Sequence, residues 1–264
     1  MKQARKGMKD VQSETDDRNI PLDKVGISDL SYPITVLDRN KNIQATVAKI
    51  NMFVDLPHHY RGTHMSRFIE VISRHSMGMS LHSLDALLED MRLTFDSEIS
   101  HIEMEFPYFI NKKAPVSGLE SPMEYICRVE ARKGARLELT VEVNVPAQNL
   151  CPCSKEISDY GAHNQRGNIK IRIRSNKLVW FEELIGIAEN SASAPVFTLL
   201  KREDEKFVTE HAYDHPRFVE DTAREAALQL NNDPRIEWYS VEVKNVESIH
   251  NHNAYACVSK RVGK

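Results

Sequence analysis

Asn149-Leu-Cys151-Pro-Cys153-Ser-Lys-Glu-Ile-Ser-Asp-Tyr-Gly161-Ala-His163-Asn-Gln-Arg166 places two thiols and a histidine in one short polar stretch. Before it, Leu137, Leu139, Val141, Val143 and Val145 alternate with polar residues; after it, Ile169, Ile171 and Ile173 do the same. Alternation of this kind is the period of a half-buried strand, so strands at about 136–146 and 168–175 are predicted to hold the stretch between them as a loop. Reactive side chains on a loop anchored by rigid sheet are where function concentrates.

Outward from this loop the elements repeat in order. In the second half a helix is predicted over Val179–Glu189, with Trp180, Leu184, Ile187 and Ala188 on one face. A long loop follows, holding Pro195 and the charged run Lys201–Lys206, and then a helix from Pro216 to Leu230, since proline suits a first helical position. Asn231-Asn-Asp-Pro234 stops that helix, and strands are predicted at about 236–246 and 253–260. In the first half Ala48, Ile50, Met52 and Val54 mark a strand ended by Pro57. Met65, Phe68, Ile69 and Ile72 mark a helix with Thr63 as its cap, and Leu81, Leu84, Leu87, Leu88 and Met91 mark a second, opened by Ser80 or Ser83. Strands carrying Ile99, Ile102, Met104 and Phe106, and then Met123, Tyr125, Cys127 and Val129, complete it. With a short opening strand near Tyr32–Leu37, each half reads β-β-α-α-β-β, an α+β pattern of antiparallel sheet with paired helices on one face. The expected organisation is a flexible arm over 1–31, a first unit over 32–134 and a second over 135–264 carrying most of the chemistry.

The totals exclude several classes. A net charge of −3 gives no reason to expect nucleic acid, and no run of about 18 apolar residues suggests a membrane span. Met1–Asp10 is basic but has no apolar segment behind it, so no signal peptide is expected. Four cysteines (127, 151, 153 and 257) in 264 residues do not make a disulfide framework, and a cytoplasmic location is expected.

Cys151-Pro-Cys153 is too tight to close on itself as a disulfide. The pair reads as a metal thiolate with a second thiol serving a reaction, the alternative being small buried hydrophobes. His163 lies twelve residues after Cys151, and Gly161 lets the chain fold back. A structural zinc site would be expected to show four ligands in paired form, so a metal here needs a further ligand, a carboxylate, and an open catalytic position. Glu203, Asp204 and Glu205 are the candidates; the alternative for them is a solvated charge run. Glu247-Ser-Ile-His250-Asn-His252 sits where one strand ends and the next begins, and residues two apart in extended chain share a side. Both imidazoles can then address one pocket and move protons near neutral pH, or simply decorate a turn. Arg61-Gly-Thr-His64-Met-Ser-Arg67 opens a helix, where free N–H groups and added positive charge favour a phosphate, or else surface ion pairs. Glu220 on its own is an ordinary helix carboxylate.

Taken together, Arg61–Phe68, Leu150–Arg166, Phe218-Val-Glu220 and Glu247–His252 resemble the prokaryotic type IB GTP cyclohydrolase family, over about 25–260. The resemblance implies a tunnelling fold of two ββααββ units per chain, assembled as a homotetramer with active sites at subunit interfaces. It implies hydrolytic opening of the GTP imidazole ring to give formate and 7,8-dihydroneopterin triphosphate, the entry to folate, and in some bacteria to modified nucleosides. It implies one divalent metal, whether manganese, zinc or ferrous iron, on Cys151, His163 and Glu205. Cys153 is implied as the second thiol, Glu247, His250 and His252 as the proton-transfer group, Glu220 as the guanine anchor, and Arg61, His64 and Arg67 as triphosphate contacts. The chemistry needs these types: hydration at C8 of guanine needs an activated water, N7 needs a proton donor, and a carboxylate pairs with guanine N1–H and its 2-amino group. Two rivals are a tunnelling-fold nitrile reductase with a nucleophilic cysteine and NADPH, and a non-catalytic module in which a metal staples loops.

Overall fold

The computed structural model describes residues 10–12, 14–75 and 81–262, without the side chains of 81 and 82. The expected cap Ser80, the Leu81 side chain and residues 1–9 and 13 of the expected arm lie outside the described residues.

The elements are β1 (Leu22–Leu37), β2 (Ile43–Leu56), α1 (Ser66–Arg74), α2 (Leu81–Phe95), β3 (Ser100–Lys113), β4 (Glu120–Lys133), β5 (Leu137–Leu150), α3 (Pro152–Ile157), β6 (Asn164–Ser175), α4 (Phe181–Ser191), β7 (Ala194–Pro195), α5 (Arg202–Asp214), α6 (Val219–Asn231), β8 (Ile236–Val246) and β9 (Asn253–Arg261). They form a mixed α/β fold around one nine-stranded sheet, in which β1-β2-β3-β4-β5-β6-β8-β9 is the hydrogen-bonded order and β7 adds to β5. The pairs β5–β6, β5–β7, β6–β8 and β8–β9 are antiparallel. Two compact units divide the chain: Met1–Val36, Ala45–Met104 and Glu130–Glu138 form one, and Leu37–Gln44, Glu105–Val129 and Leu139–Lys264 form the other.

In the first unit α1 and α2 pack together; Phe68, Val71 and Ile72 of the first and Leu84, Leu87, Leu88 and Met91 of the second are all buried. The ring of Phe68 stacks on that of Phe95 at 4.1 Å between centroids. In the second unit the alternation read from the sequence becomes one apolar face. Val143 pairs with Ile171 and Ile171 with Val241; Val145 pairs with Ile169 and Ile169 with Val243. All of these are buried, and each contributes about 1.5–3 kcal/mol of transfer free energy. On this side α4 meets β6, α6 meets β8 and β9, and the two helices pack on each other. Among the described residues no helix is long and apolar enough to cross a membrane.

Five local expectations change. β1 begins at Leu22, not near Tyr32, and shows no early alternation because it is a terminal strand with half of its residues exposed and only Ile34 buried. α1 is capped at Met65 with no side-chain bond, so Thr63 is not its cap; Met65 and Ile69 face outward. The charged run after Lys201 is not loop but the first turn of α5, a helix that buries only Asp204 and Ala212 and so shows no apolar stripe. α6 starts at Val219, where Asp221 Oδ2 accepts from Phe218 N at 3.0 Å, leaving Pro216 ahead of the helix. The Cys-Pro-Cys segment itself turns helical, with Cys151 as the N-cap and Pro152 at the first position of α3.

Candidate active site

The apolar face of the second unit does not stop at the sheet's edge; it turns polar, rung by rung. Val145, Ile169 and Val243 form one rung and Ala147, Gly167 and Asn245 the next. Asn149 then pairs with Gln165. By the two-residue period Glu247 continues the side of Val243 and Asn245, and Gln165 Nε2 donates to its Oε1 at 2.9 Å. Beyond that rung Cys151 N donates to His163 O at 3.2 Å, so the thiol and the imidazole that close the loop extend the same ladder.

The loop ends are locked to each other. Cys151 keeps extended backbone, and its Sγ accepts from Ser154 N at 3.4 Å as the helix N-cap. Ser154 Oγ donates to Cys151 O and accepts from His163 N, both at 3.2 Å. The Nδ1 nitrogen of His163 is buried with no hydrogen-bond partner, the state of an imidazole nitrogen that a further ligand would satisfy. A sulfur and an unspent imidazole nitrogen on one rung suit a borderline-soft divalent metal. Cys153 is exposed on the first turn of α3.

Among the described residues no three His, Cys, Asp or Glu side chains are placed to hold a metal ion together, so the chain does not bring Glu205 to Cys151 and His163. The reason is the helix missed in the sequence. Lys155 Nζ of α3 donates to Tyr213 O at 2.5 Å and lies 4.1 Å from the Tyr213 ring centroid. Tyr213 is in the last turn of α5 and Glu205 in its first, about 12 Å apart along the axis. The other end of α5 is pinned by Asp204, which accepts from Val116 N and Ser117 N at 2.8 Å, Ser117 Oγ at 2.7 Å and Lys201 N at 2.9 Å. Burial would raise the Asp204 carboxyl, but the bonds from Ser117, Lys201 and Val116 outweigh it and hold it well below the usual carboxylate range.

Of Glu247, His250 and His252, Glu247 is the most firmly held. Its Oε2 lies 3.3 Å from His250 Nε2, and the rings of His250 and His252 stack with centroids 5.0 Å apart. Glu220 is exposed in the first turn of α6. That helix end is set against β5: Arg217 N donates to Leu150 O at 3.0 Å, and Thr222 Oγ1 to Asn149 Oδ1 at 3.4 Å. Sequence reading passed over Asn149, Gln165, Asn245 and Thr222, all buried. Extending the two-residue alternation past Val145 to Cys151, and back from Ile169 to His163, would have found the first two.

Arg61, His64 and Arg67 belong to the first unit. The N-terminal segment runs beside them, with Thr15 bridged to Tyr60 and Gly62 N donating to Gln12 O at 3.2 Å. Arg61 forms an ion pair with Glu14, and His64 Nε2 lies 3.2 Å from Asp10 Oδ1. Arg67 is exposed in the first turn of α1.

A family model described as type I GTP cyclohydrolase folE2 matches residues 8–256. Proteins named GTP cyclohydrolase FolE2 are similar over nearly their whole length. That of Pseudothermotoga lettingae is 59% identical over 96% of this chain and 98% of its own, and that of Kosmotoga olearia 54% identical over 96% and 98%. That of Geotalea uraniireducens is 53% identical over 96% and 93%. Among solved structures, urate oxidase from Bacillus subtilis 168 superimposes with a TM-score of 0.53 at 11% identity, covering 90% of this chain and 98% of that one. Uricase from Arthrobacter globiformis gives 0.51 at 9% identity, covering 92% and 93%. At such identities the likeness is one of fold alone.

Proposed function

We propose, for a chain that belongs to the type I GTP cyclohydrolase FolE2 family, the following division of labour over the residues just described. The enzyme is a GTP cyclohydrolase. Its reaction is the hydrolytic opening of the GTP imidazole ring to formate and 7,8-dihydroneopterin triphosphate, as the first step toward folate in the cytoplasm.

Cys151 and His163 hold one divalent metal, with Glu205 as the third ligand. The observation that carries this is the buried, partnerless Nδ1 of His163 on the same rung as the Cys151 thiol. Bound there, manganese, zinc or ferrous iron supplies Lewis-acid activation of the attacking water. Because Glu205 lies far along α5 from the Cys151 loop, it reaches a metal in a second copy of the chain. This favours active sites at subunit interfaces, and the assembly we propose is the tunnelling-fold homotetramer.

Glu220 accepts from guanine N1–H and the 2-amino group; adenine, which cannot offer that pair of donors, leaves the carboxylate unmatched. His250 and His252 carry protons to and from N7 and the opened ring, with the Glu247 carboxylate orienting His250. Cys153, exposed beside the metal thiolate, is the second thiol serving the reaction. Arg61, His64 and Arg67 contact the triphosphate through their charge at the start of α1.

The test is a paired assay for formate and pterin fluorescence on chelated enzyme, with manganese, zinc and ferrous iron restored one at a time. Metal-dependent formate matched by pterin is expected; no product with any metal on folded, metal-loaded protein would overturn the assignment.

A further inference from the structure

We infer that Asn149, Asn245 and Gln165 are positioning residues for the reaction: a one-way relay of buried amides that fixes the Glu247 carboxylate, with Gly167 providing the space in which the relay fits. The inference rests on the reading of Glu247 as part of the proton-transfer group.

The relay has one direction. Asn149 Nδ2 donates to Asn245 Oδ1 at 3.4 Å, Asn245 Nδ2 to Gln165 Oε1 at 2.8 Å, and Gln165 Nε2 to Glu247 Oε1 at 2.9 Å. Its far end is fixed by backbone, because Asn149 Oδ1 accepts from Ser193 N at 3.0 Å; Thr222 Oγ1 lies 3.4 Å away and has a nearer acceptor in Phe218 O at 3.1 Å. The Ser193 N–H, which can only donate, fixes which end of the Asn149 amide is the oxygen, and each amide then sets the orientation of the next. Aligned amide dipoles reinforce one another in a low-dielectric interior, and all of them point their donor ends at the carboxylate.

Burial makes the arrangement demanding. Asn149, Gln165 and Asn245 are 1%, 5% and 0% exposed, on the face that carries Val145, Ile169 and Val243 one or two rungs earlier. Apolar side chains would fill that space without needing any partner, so packing alone does not require three amides. The relay starts two residues before Cys151 and runs through Gln165, two residues after His163. One rigid network thus ties the metal pair to the group that moves protons. Gly167 is its steric counterpart: a Cβ there would lie 2.0 Å from Asn245 Oδ1 and 3.1 Å from Asn245 Cγ. Any larger residue must displace the middle amide.

The test uses the full-length assembled enzyme with metal restored and measures kcat, KM for GTP, metal per subunit and Tm. Gln165→Met keeps the volume and removes the donor to Glu247. Asn245→Asp also keeps volume; with two acceptor oxygens it draws the Gln165 amino group to itself and turns the Gln165 oxygen toward Glu247, reversing the relay. Gly167→Ala removes no polar group and moves Asn245. Each is expected to lower kcat at least tenfold, with KM and metal content within twofold of wild type; a merely structural role would not produce that split. Gln165→Met and Gly167→Ala, both uncharged, decide the matter if Asn245→Asp fails to fold. A kcat within twofold of wild type in those two overturns the relay, and so does a kcat loss matched by metal loss, which would assign the amides to the Cys151 loop alone. Glu247→Gln, run alongside, separates the premise: unchanged kcat there removes the carboxylate from the chemistry and the relay with it.

Discussion

His163 is the residue at which the site is most clearly legible, because a buried nitrogen without a partner is costly unless something else completes it. Cys151→Ala is therefore expected to lose both bound metal and turnover, whereas Glu220→Gln should retain metal and raise KM for GTP. The second effect should be about ten- to a hundredfold, the scale of a lost charge-assisted interaction of about 1.5–3 kcal/mol. Metal analysis and steady-state kinetics on the two variants check both, and full metal content in Cys151→Ala would remove Cys151 from the ligand set. At this scale the sequence was informative. Cys151, His163, Glu247 and His250 are of types with few uses in such spacing, and the described geometry places the first two on one rung and the second two in contact. The amides were not legible, because Asn and Gln in a strand carry no chemistry until a neighbouring strand supplies the partner.

Among the elements α5 departs furthest from the sequence reading. It buries two residues of thirteen, so periodicity is silent, and only the acids of its first turn mark it as a helix start. Asp204 ties that turn to Val116 and Ser117. Its carboxyl is depressed in the folded state, so its contribution is present above the ordinary value of 3.8 and is lost as pH falls through the lower folded value. Asp204→Asn is thus expected to lower Tm at neutral pH, with the gap to wild type shrinking as pH drops below about 4. Melting curves taken down the pH scale would show it; a gap independent of pH would not fit. In the first unit Asp10 and Glu14 lie against His64 and Arg61, where a triphosphate is proposed to bind. Asp10→Asn with Glu14→Gln should lower KM for GTP severalfold at low ionic strength and leave kcat unchanged, and added salt should erase the difference. Unchanged KM at every ionic strength would separate those carboxylates from substrate binding.

At the scale of the whole molecule the decisive fact is that Glu205 does not meet Cys151 and His163 within one chain among the described residues. If a second copy supplies it, Cys151→Ala and Glu205→Ala subunits, each inactive alone, should regain activity when dissociated together and reassembled. Random mixing restores about a quarter of the sites; no recovery in well-formed mixed oligomers would place the third ligand elsewhere. The sequence by itself determined the strands around the loop, their alternating faces, the helices with apolar stripes and the residue types of the site. Each of those is a local property, fixed by a period of two or of 3.6 or by the chemistry of one side chain. Only the tertiary structure decided that the core face runs on into the site, that Asn149, Gln165 and Asn245 join across three strands, and that a polar helix separates Glu205 from the loop. Those facts depend on register between strands and on how one helix end is anchored, and neither leaves a period in the chain.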